Sequence, residues 1–141
     1  MTNKIRPFHL AFPVKNIQET ITWYTSILGC TIGRQADKWV DFNFFNHQIS
    51  AHKANSQSYN LDTNSVDGHN IPIRHFGIIL NMTDWELLVE KLKLNKITFL
   101  IEPNIRFKNE KGEQATLFIK DPSGNVLEFK AFQYDEMIFE S

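Results

Sequence analysis

The sequence predicts an α+β fold built from two tandem β-α-β-β-β modules within one domain. The main observation is an internal repeat, because setting His9 against His75 aligns strand with strand and helix with helix at an offset of 66 residues. A second observation is that strand-like segments bounded by turn residues complete each copy. We expect module one at about residues 5–54, a linker or lid at about 55–71, and module two at about 72–134.

Each copy opens with a predicted strand in which large apolar residues alternate with a histidine and a small residue. The apolar positions are Phe8, Leu10 and Phe12 in the first copy and Phe76, Ile78 and Leu80 in the second. A period of two puts His9 and His75 on the opposite face of their strands, beside Ala11 and Gly77. Because these neighbouring side chains are small, they leave room for a cleft on that face of the sheet.

An amphipathic helix is predicted after each of these strands, at residues 17–28 and 83–94. The expected capping pairs are Asn16 with Glu19 and Thr83 with Glu86, and the expected left-handed stops are Gly29 and Asn95. Further strands are expected at 39–45, 48–53, 97–101, 114–119 and 125–132, the last after a turn at 121–125. The stretch at 55–71 has few apolar residues, which suits a lid or a linker.

Composition narrows the possible function. Basic and acidic residues number 15 and 16 without a basic patch, which argues against a nucleic-acid partner. Cys30 is the only cysteine, so an intramolecular disulfide and a Cys-rich zinc site are both excluded. No apolar run is long enough for a signal peptide or a membrane span, so a cytoplasmic location is expected by default.

Four polar side chains are expected on the strand faces turned away from the helices. Strand parity sets Glu128 opposite Leu127 and Phe129, and it sets His52 opposite Ala51. His9, His52, His75 and Glu128 thus fall on the first and last strands of two equivalent modules. His9, His75 and Glu128 form the two-histidine, one-carboxylate set that suits Fe(II) and leaves positions open. His52 is left open as a metal ligand, a supporting group or a bystander, and His47 and His69 are interpreted as surface residues.

These features resemble the vicinal oxygen chelate superfamily, which includes glyoxalase I, fosfomycin-resistance transferases, bleomycin-binding proteins and extradiol dioxygenases. The resemblance covers residues 7–132, and its strongest marker is the segment Asp121-Pro122-Ser123-Gly124-Asn125-Val126-Leu127-Glu128. Within the superfamily the chain resembles small predicted extradiol-type dioxygenases, through the stretches 39–52, 66–69, 101–103 and 106–116. The implied fold is a pair of modules whose mixed sheet curls around one metal cleft.

The resemblance also implies a function and a set of roles. One divalent metal, Fe(II) first and Mn, Ni or Zn as substitutes, is expected on His9, His75 and Glu128, with a small substrate chelating it through vicinal oxygens. His52 is the expected acid–base group of such a dioxygenase. The residues expected to flank the substrate are Arg106, Phe107, Gln114 and Thr116. Phe118 departs from the pattern, since many ring-cleaving members carry a tyrosine about ten residues before the ligand glutamate.

Other members of the superfamily supply the alternatives. A glyoxalase I-like isomerase usually takes a carboxylate from the last strand of module one, where this chain has His52. A fosfomycin-resistance-like transferase uses the same ligand types, but it needs groups for its phosphonate and thiol substrates. A metal-free binding protein would lack the ligand set, so the presence of His9, His75 and Glu128 counts against it. Superfamily members often pair, so a homodimer is expected.

Overall fold

The computed structural model describes residues 4–55 and 62–141. The chain divides into two compact units, Met1–Tyr59 and Asn60–Ser141. We keep the names module one and module two for these units. Module two was expected to begin at about residue 72, after a linker at 55–71. In the structure residues 62–71 of that predicted linker belong to the second unit.

Module one contains a four-stranded mixed sheet and one helix. Its elements are β1 (His9–Val14), α1 (Ile17–Ser26), β2 (Thr31–Ala36), β3 (Trp39–Phe44) and β4 (His47–Lys53). The strand order is β1-β4-β3-β2, in which β1 runs parallel to β4 and the other pairs are antiparallel. This order is the β-α-β-β-β arrangement that the sequence predicts.

Module two repeats the same order and adds a hairpin in front of it. Its elements are β5 (Thr63–Val66), β6 (His69–Pro72), β7 (Phe76–Asn81), α2 (Met82–Leu94), β8 (Phe99–Arg106), β9 (Gln114–Lys120), β10 (Val126–Phe132) and a 3-10 turn (Asp135–Met137). The main sheet has the order β7-β10-β9-β8, with β7 parallel to β10. The repeated topology confirms the tandem α+β fold.

Each helix packs on one face of its own sheet. In module one the buried Tyr24 ring of α1 contacts the rings of Phe12 and Phe42, at centroid distances of 5.7 and 5.2 Å. In module two the indole Nε1–H of Trp85 in α2 donates to the backbone carbonyl of Phe129 at 2.9 Å. Both helices therefore cover the apolar strand face, and the opposite face carries the histidine and glutamate positions.

The boundaries of the elements correct several sequence expectations. The Asn16 cap is confirmed, since its Oδ1 accepts from the Glu19 backbone N–H at 2.7 Å. The second cap was wrongly placed at Thr83, because Asn81 provides it by accepting from the Asp84 N–H at 2.8 Å.

The helix ends and the first strand need similar corrections. Gly29 takes the expected left-handed conformation at φ 73°, whereas Asn95 has φ −86° and Lys96 takes the positive φ of 55° instead. Helix α1 already ends at Ser26, and β1 begins at His9. Phe8 therefore precedes the strand and is 64% exposed.

The predicted linker contains a β-hairpin in its described part. Strands β5 and β6 pair across a turn at Asp67 and Gly68, both of which have positive φ. His69, expected in a loop, lies in β6 and is exposed. Residues 56–61 of this prediction lie outside the described residues.

Contacts within module two hold this hairpin against the main sheet. Ile71 of β6 is fully buried in a cluster with Ile101, Phe118 and Val126, which stand on neighbouring strands of that sheet. The Asp67 carboxylate lies 3.4 Å from the Arg106 guanidinium. The hairpin thus covers part of the face that carries Glu128, because Phe118 is the cross-strand partner of Glu128. No helix within the described ranges is long and apolar enough to span a membrane.

Candidate metal centre

His75 lies between the hairpin and the main sheet of module two, directly before β7. Its Nδ1 is 2.7 Å from the backbone carbonyl oxygen of Pro72, at the end of β6. Because a carbonyl oxygen only accepts hydrogen bonds, Nδ1 carries a proton and Nε2 is the nitrogen that remains for another partner. That Nε2 is 3.2 Å from Oε1 of Glu128. The Phe118 ring and the imidazole pack edge to face, with ring centroids 5.4 Å apart.

Glu128 is a buried carboxylate in the middle of the sheet. It is 8% exposed and stands between Gly77 of β7 and Phe118 of β9 in the strand register. Its Oε2 accepts a hydrogen bond from the Thr116 hydroxyl at 2.6 Å. The two carboxylate oxygens therefore have different partners, with Oε1 facing His75 and Oε2 facing Thr116.

The two groups shift each other's protonation. The hydrogen bond to Glu128 raises the pKa of His75 above 6.5, against the opposing effect of burial. For Glu128 burial acts to raise the pKa, but the hydrogen bonds from His75 and Thr116 and the charge of Lys130 together lower the pKa below 4.5. Both pKa shifts therefore favour the charged forms of the two groups, an imidazolium beside a carboxylate.

The same geometry fits two ligands of one divalent metal. Ligand nitrogen and oxygen atoms lie about 2.1 Å from such a metal, so a separation of 3.2 Å corresponds to an angle of about 99° at the metal. That angle suits neighbouring positions of an octahedral or tetrahedral centre. Ligand histidines usually donate their other ring N–H to a carbonyl, and ligand carboxylates usually accept a further hydrogen bond. Pro72 and Thr116 supply these two contacts here.

Module two supplies two candidate ligands, and the third predicted ligand belongs to module one. Among the described residues of module two, no further His, Cys, Asp or Glu joins His75 and Glu128. His9 opens β1 and is exposed, with its Nδ1 2.7 Å from Oε1 of Gln48. An amide oxygen accepts, so Nδ1 again carries the proton and Nε2 remains for a ligand. His9 and His75 thus have the same ring nitrogen, Nδ1, engaged within their own modules.

The strand registers identify the module-one counterpart of Glu128. Gly77 pairs with Glu128 in module two, and Ala11, its match at the 66-residue offset, pairs with Ser50 in module one. Ser50 therefore occupies the position that Glu128 has in the second copy. Its side chain is buried and donates to Oδ1 of Asp41.

His52 lies in β4, the strand in which the sequence places it, and its position along β4 differs from that of Glu128 along β10. It stands two residues beyond Ser50, so its counterpart in module two is Lys130 and not Glu128. Its side chain is exposed, and its cross-strand partners are Pro13 and Trp39. His52 is thus offset by two residues from Ser50, the position matched to Glu128.

Sequence reasoning missed the Asp41 carboxylate. Asp41 stands opposite Ser50 on β3, on the same face as His52. The sequence does carry a signal for this face. Val40, Phe42 and Phe44 alternate as buried residues, so Asp41, which falls between them, points to the opposite face of β3.

The predicted substrate residues have varied surroundings in module two. Arg106 is paired with Asp67 and lies 4.8 Å over the Phe107 ring, so its guanidinium already has partners. Gln114 stands opposite Arg106, and its buried Oε1 has no hydrogen-bond partner among the described residues. Thr116 is fully buried, and its hydroxyl is directed at Glu128. Arg106, Phe107 and Gln114 remain partly accessible, whereas Thr116 is enclosed behind Glu128.

Comparisons with known proteins agree with this fold. A structure described as a glyoxalase/bleomycin resistance protein/dioxygenase from Alicyclobacillus acidocaldarius is 31% identical, with a TM-score of 0.79, and the match covers 99% of this chain and 100% of that one. A virulence protein from Salmonella typhimurium is 22% identical, with a TM-score of 0.62 and coverages of 94% and 98%. No curated protein sequence matches significantly.

A third similar structure holds a metal. It is a variant of the fosfomycin resistance protein FosX from Listeria monocytogenes, complexed with Mn(II) and 1S,2S-dihydroxypropylphosphonic acid. It is 14% identical with a TM-score of 0.67, covering 99% of this chain and 98% of that one, so the likeness is one of fold. The family model of the glyoxalase/bleomycin resistance protein/dioxygenase superfamily matches residues 6–129. The chain therefore belongs to this superfamily, the vicinal oxygen chelate proteins.

Proposed function

We propose that this protein is a metal-dependent enzyme of the extradiol dioxygenase type, with His9, His75 and Glu128 as the ligands of one divalent metal. Its substrate is a small molecule that chelates the metal through two adjacent oxygens, and Fe(II) is the proposed metal. The observation that carries the proposal is that His75 Nε2 and Glu128 Oε1 lie 3.2 Å apart. The other polar atom of each group is hydrogen-bonded, His75 Nδ1 to the Pro72 carbonyl and Glu128 Oε2 to the Thr116 hydroxyl.

The charges of the ligands support this chemistry. Two neutral imidazoles and one carboxylate leave a divalent cation with net positive charge. Such a metal, when bound, lowers the pKa of substrate hydroxyls and polarises their oxygens. Glu128 is already ionised near neutral pH without metal, since its pKa is lowered, so the carboxylate has no proton to lose on binding.

We propose that His52 is the acid–base group. Its position along the last strand of its module differs from that of Glu128, which favours a group that moves protons over one that binds metal. Histidine is the side chain most often used to move protons in enzyme active sites. A glyoxalase-like site with four protein ligands is less well supported, because Ser50 occupies the module-one position matched to Glu128 and is bonded to Asp41.

Oxygen uptake by the reconstituted protein tests the proposal. Protein purified without oxygen would be loaded separately with Fe(II), Mn(II), Ni(II) or Zn(II) and given a panel of catechols in an oxygen electrode. We expect oxygen consumption with Fe(II) that Glu128→Ala abolishes and that His69→Ala, a control at an exposed histidine of β6, leaves unchanged.

Two results would count against this function. Turnover without oxygen consumption, by every metal form, would assign the site to an isomerase or transferase. Equal activity of the Glu128→Ala variant would remove the carboxylate from the chemistry. Phe118 packs against His75 and has no hydroxyl group. Ring cleavage in this protein would therefore proceed without the hydrogen-bond donor that a tyrosine supplies at this position in many ring-cleaving members.

A further inference from the structure

Thr116 differs from the other residues that flank the predicted site. It is fully buried, with none of its surface exposed. Its hydroxyl lies 2.6 Å from Oε2 of Glu128. This distance is in the range of about 2.5–2.7 Å for a hydroxyl that donates to an ionised carboxylate, which is stronger than a bond between neutral groups.

The burial of Thr116 makes this hydrogen bond hard to replace. If the carboxylate rotated so that Oε2 left the hydroxyl, no water could reach the donor in its place. A buried donor that is left unpaired loses its hydrogen bonds to water without replacement, which is unfavourable. Strands β9 and β10 are paired throughout this stretch, with Thr116 opposite Lys130, so the backbone that carries the hydroxyl is fixed relative to that of Glu128.

The orientation of Glu128 decides how many coordination positions the protein occupies. A carboxylate that binds through one oxygen joins two histidines to give three protein donors, which leaves three of six octahedral positions for other ligands. A carboxylate that binds through both oxygens leaves only two. A chelating substrate needs two positions by itself, so only the first arrangement keeps one more for a small co-substrate.

We propose that Thr116 is a positioning residue that holds Oε2 of Glu128, so that the carboxylate binds the metal through Oε1 alone. The inference rests on the proposed function, because it assumes that Glu128 is a metal ligand. It assigns Thr116 to the support of that ligand and not to contact with substrate.

The number of water molecules bound to Mn(II) tests this inference without any turnover. Electron spin echo spectroscopy of the Mn(II)-loaded protein in D₂O counts these waters from the deuterium modulation. We expect about three waters for the unsubstituted protein, the number left by three donors in an octahedral site. Thr116→Ser keeps the hydroxyl and should give the same count. Thr116→Val keeps the shape, frees Oε2, and should lose one water as the carboxylate binds through both oxygens.

The outcomes separate this inference from the proposed function. An unchanged count in Thr116→Val, or two waters in the unsubstituted protein, overturns the role of Thr116 while leaving the metal site intact. Four waters in the unsubstituted protein with one fewer in Thr116→Val supports Thr116 but removes one histidine from the ligand set. Failure of the unsubstituted protein to bind Mn(II) overturns both. If Thr116→Val does not fold, the count for the unsubstituted protein still decides between three waters and two.

Discussion

Gly77 lies beside Glu128 in the parallel pair of β7 and β10, and replacing it with alanine is the most severe small change that the candidate site offers. A Cβ atom at Gly77 would lie 1.5 Å from the backbone carbonyl oxygen of Glu128 and 2.6 Å from its carbonyl carbon. The obstacle is backbone, so no side-chain rotation can relieve the contact. The two strands must move apart for the substitution to be accommodated.

The size of the movement follows from that distance. Non-bonded carbon and carbonyl oxygen atoms lie about 3.3 Å apart in sheets, so the strands must separate locally by roughly 1.8 Å. Overpacking of this kind costs about 1–3 kcal/mol, which corresponds to a fall in Tm of about 4–12 °C for a chain of this length. A shift of that size also separates Glu128 from His75. We therefore expect metal affinity to fall by about 10–100-fold, the usual effect of losing support around a ligand.

Gly33→Ala is the matched control for Gly77→Ala. A Cβ atom at Gly33 would find its nearest neighbour, the Asp41 Cβ, at 3.4 Å, which is an ordinary contact. Thermal unfolding followed by circular dichroism and calorimetric titration with Mn(II) would be measured for both variants. Gly33→Ala should remain within about 0.5 kcal/mol of the parent. A Gly77→Ala protein with the Tm and metal affinity of the parent would refute the close approach of β7 to β10.

Three further predictions concern protonation, catalysis and assembly. The pKa of His75 is raised above 6.5, so the stabilisation of the folded state by its protonated form is present below pH 6.5 and is lost as pH rises through the folded-state pKa. The pKa of Glu128 is lowered below 4.5, so the stabilisation by its ionised form is present above pH 4.5 and is lost as pH falls through the folded-state pKa. Denaturant titrations of the metal-free protein should therefore show the largest contribution of this pair between pH 4.5 and 6.5, and His75→Gln should flatten the profile. His52→Ala should keep its metal, measured by elemental analysis, while turnover falls by about 10²–10⁴-fold; loss of metal would make His52 a ligand. We also expect a homodimer, so sedimentation should give twice the chain mass of 16.5 kDa, and the chain mass itself at micromolar concentrations would contradict this.

The repeat made most of the fold predictable from sequence, because a repeated pattern of apolar residues specifies the same packing twice. Strand β2 and the hairpin of β5 and β6 carried much weaker signals. Every residue of β2 is exposed, so its sequence has no buried alternation to detect. In the hairpin only Ile71 is fully buried, and its partners on the main sheet are 30 or more residues away in sequence.

The sequence names the residues proposed for the site, but it does not give the register of the strands that carry them. Parity along a strand places Ser50 and His52 on the same face, so it cannot decide which one matches Glu128. Only the pairing of β4 with β1 makes that distinction, by setting Ser50 opposite Ala11. The role of Thr116 depends likewise on a contact between β9 and β10 that no local pattern encodes.

Metal stoichiometry tests the central claim, that His9, His75 and Glu128 bind one divalent metal, most directly. The unsubstituted chain and a variant with all three residues changed to alanine would be purified without oxygen, loaded with Fe(II) or Mn(II), dialysed and assayed by elemental analysis alongside His69→Ala. The folded state of each would be checked by circular dichroism. We predict one metal per chain for the unsubstituted protein and for His69→Ala, and none for the triple variant. A folded triple variant that retained one tightly bound metal per chain would contradict the account.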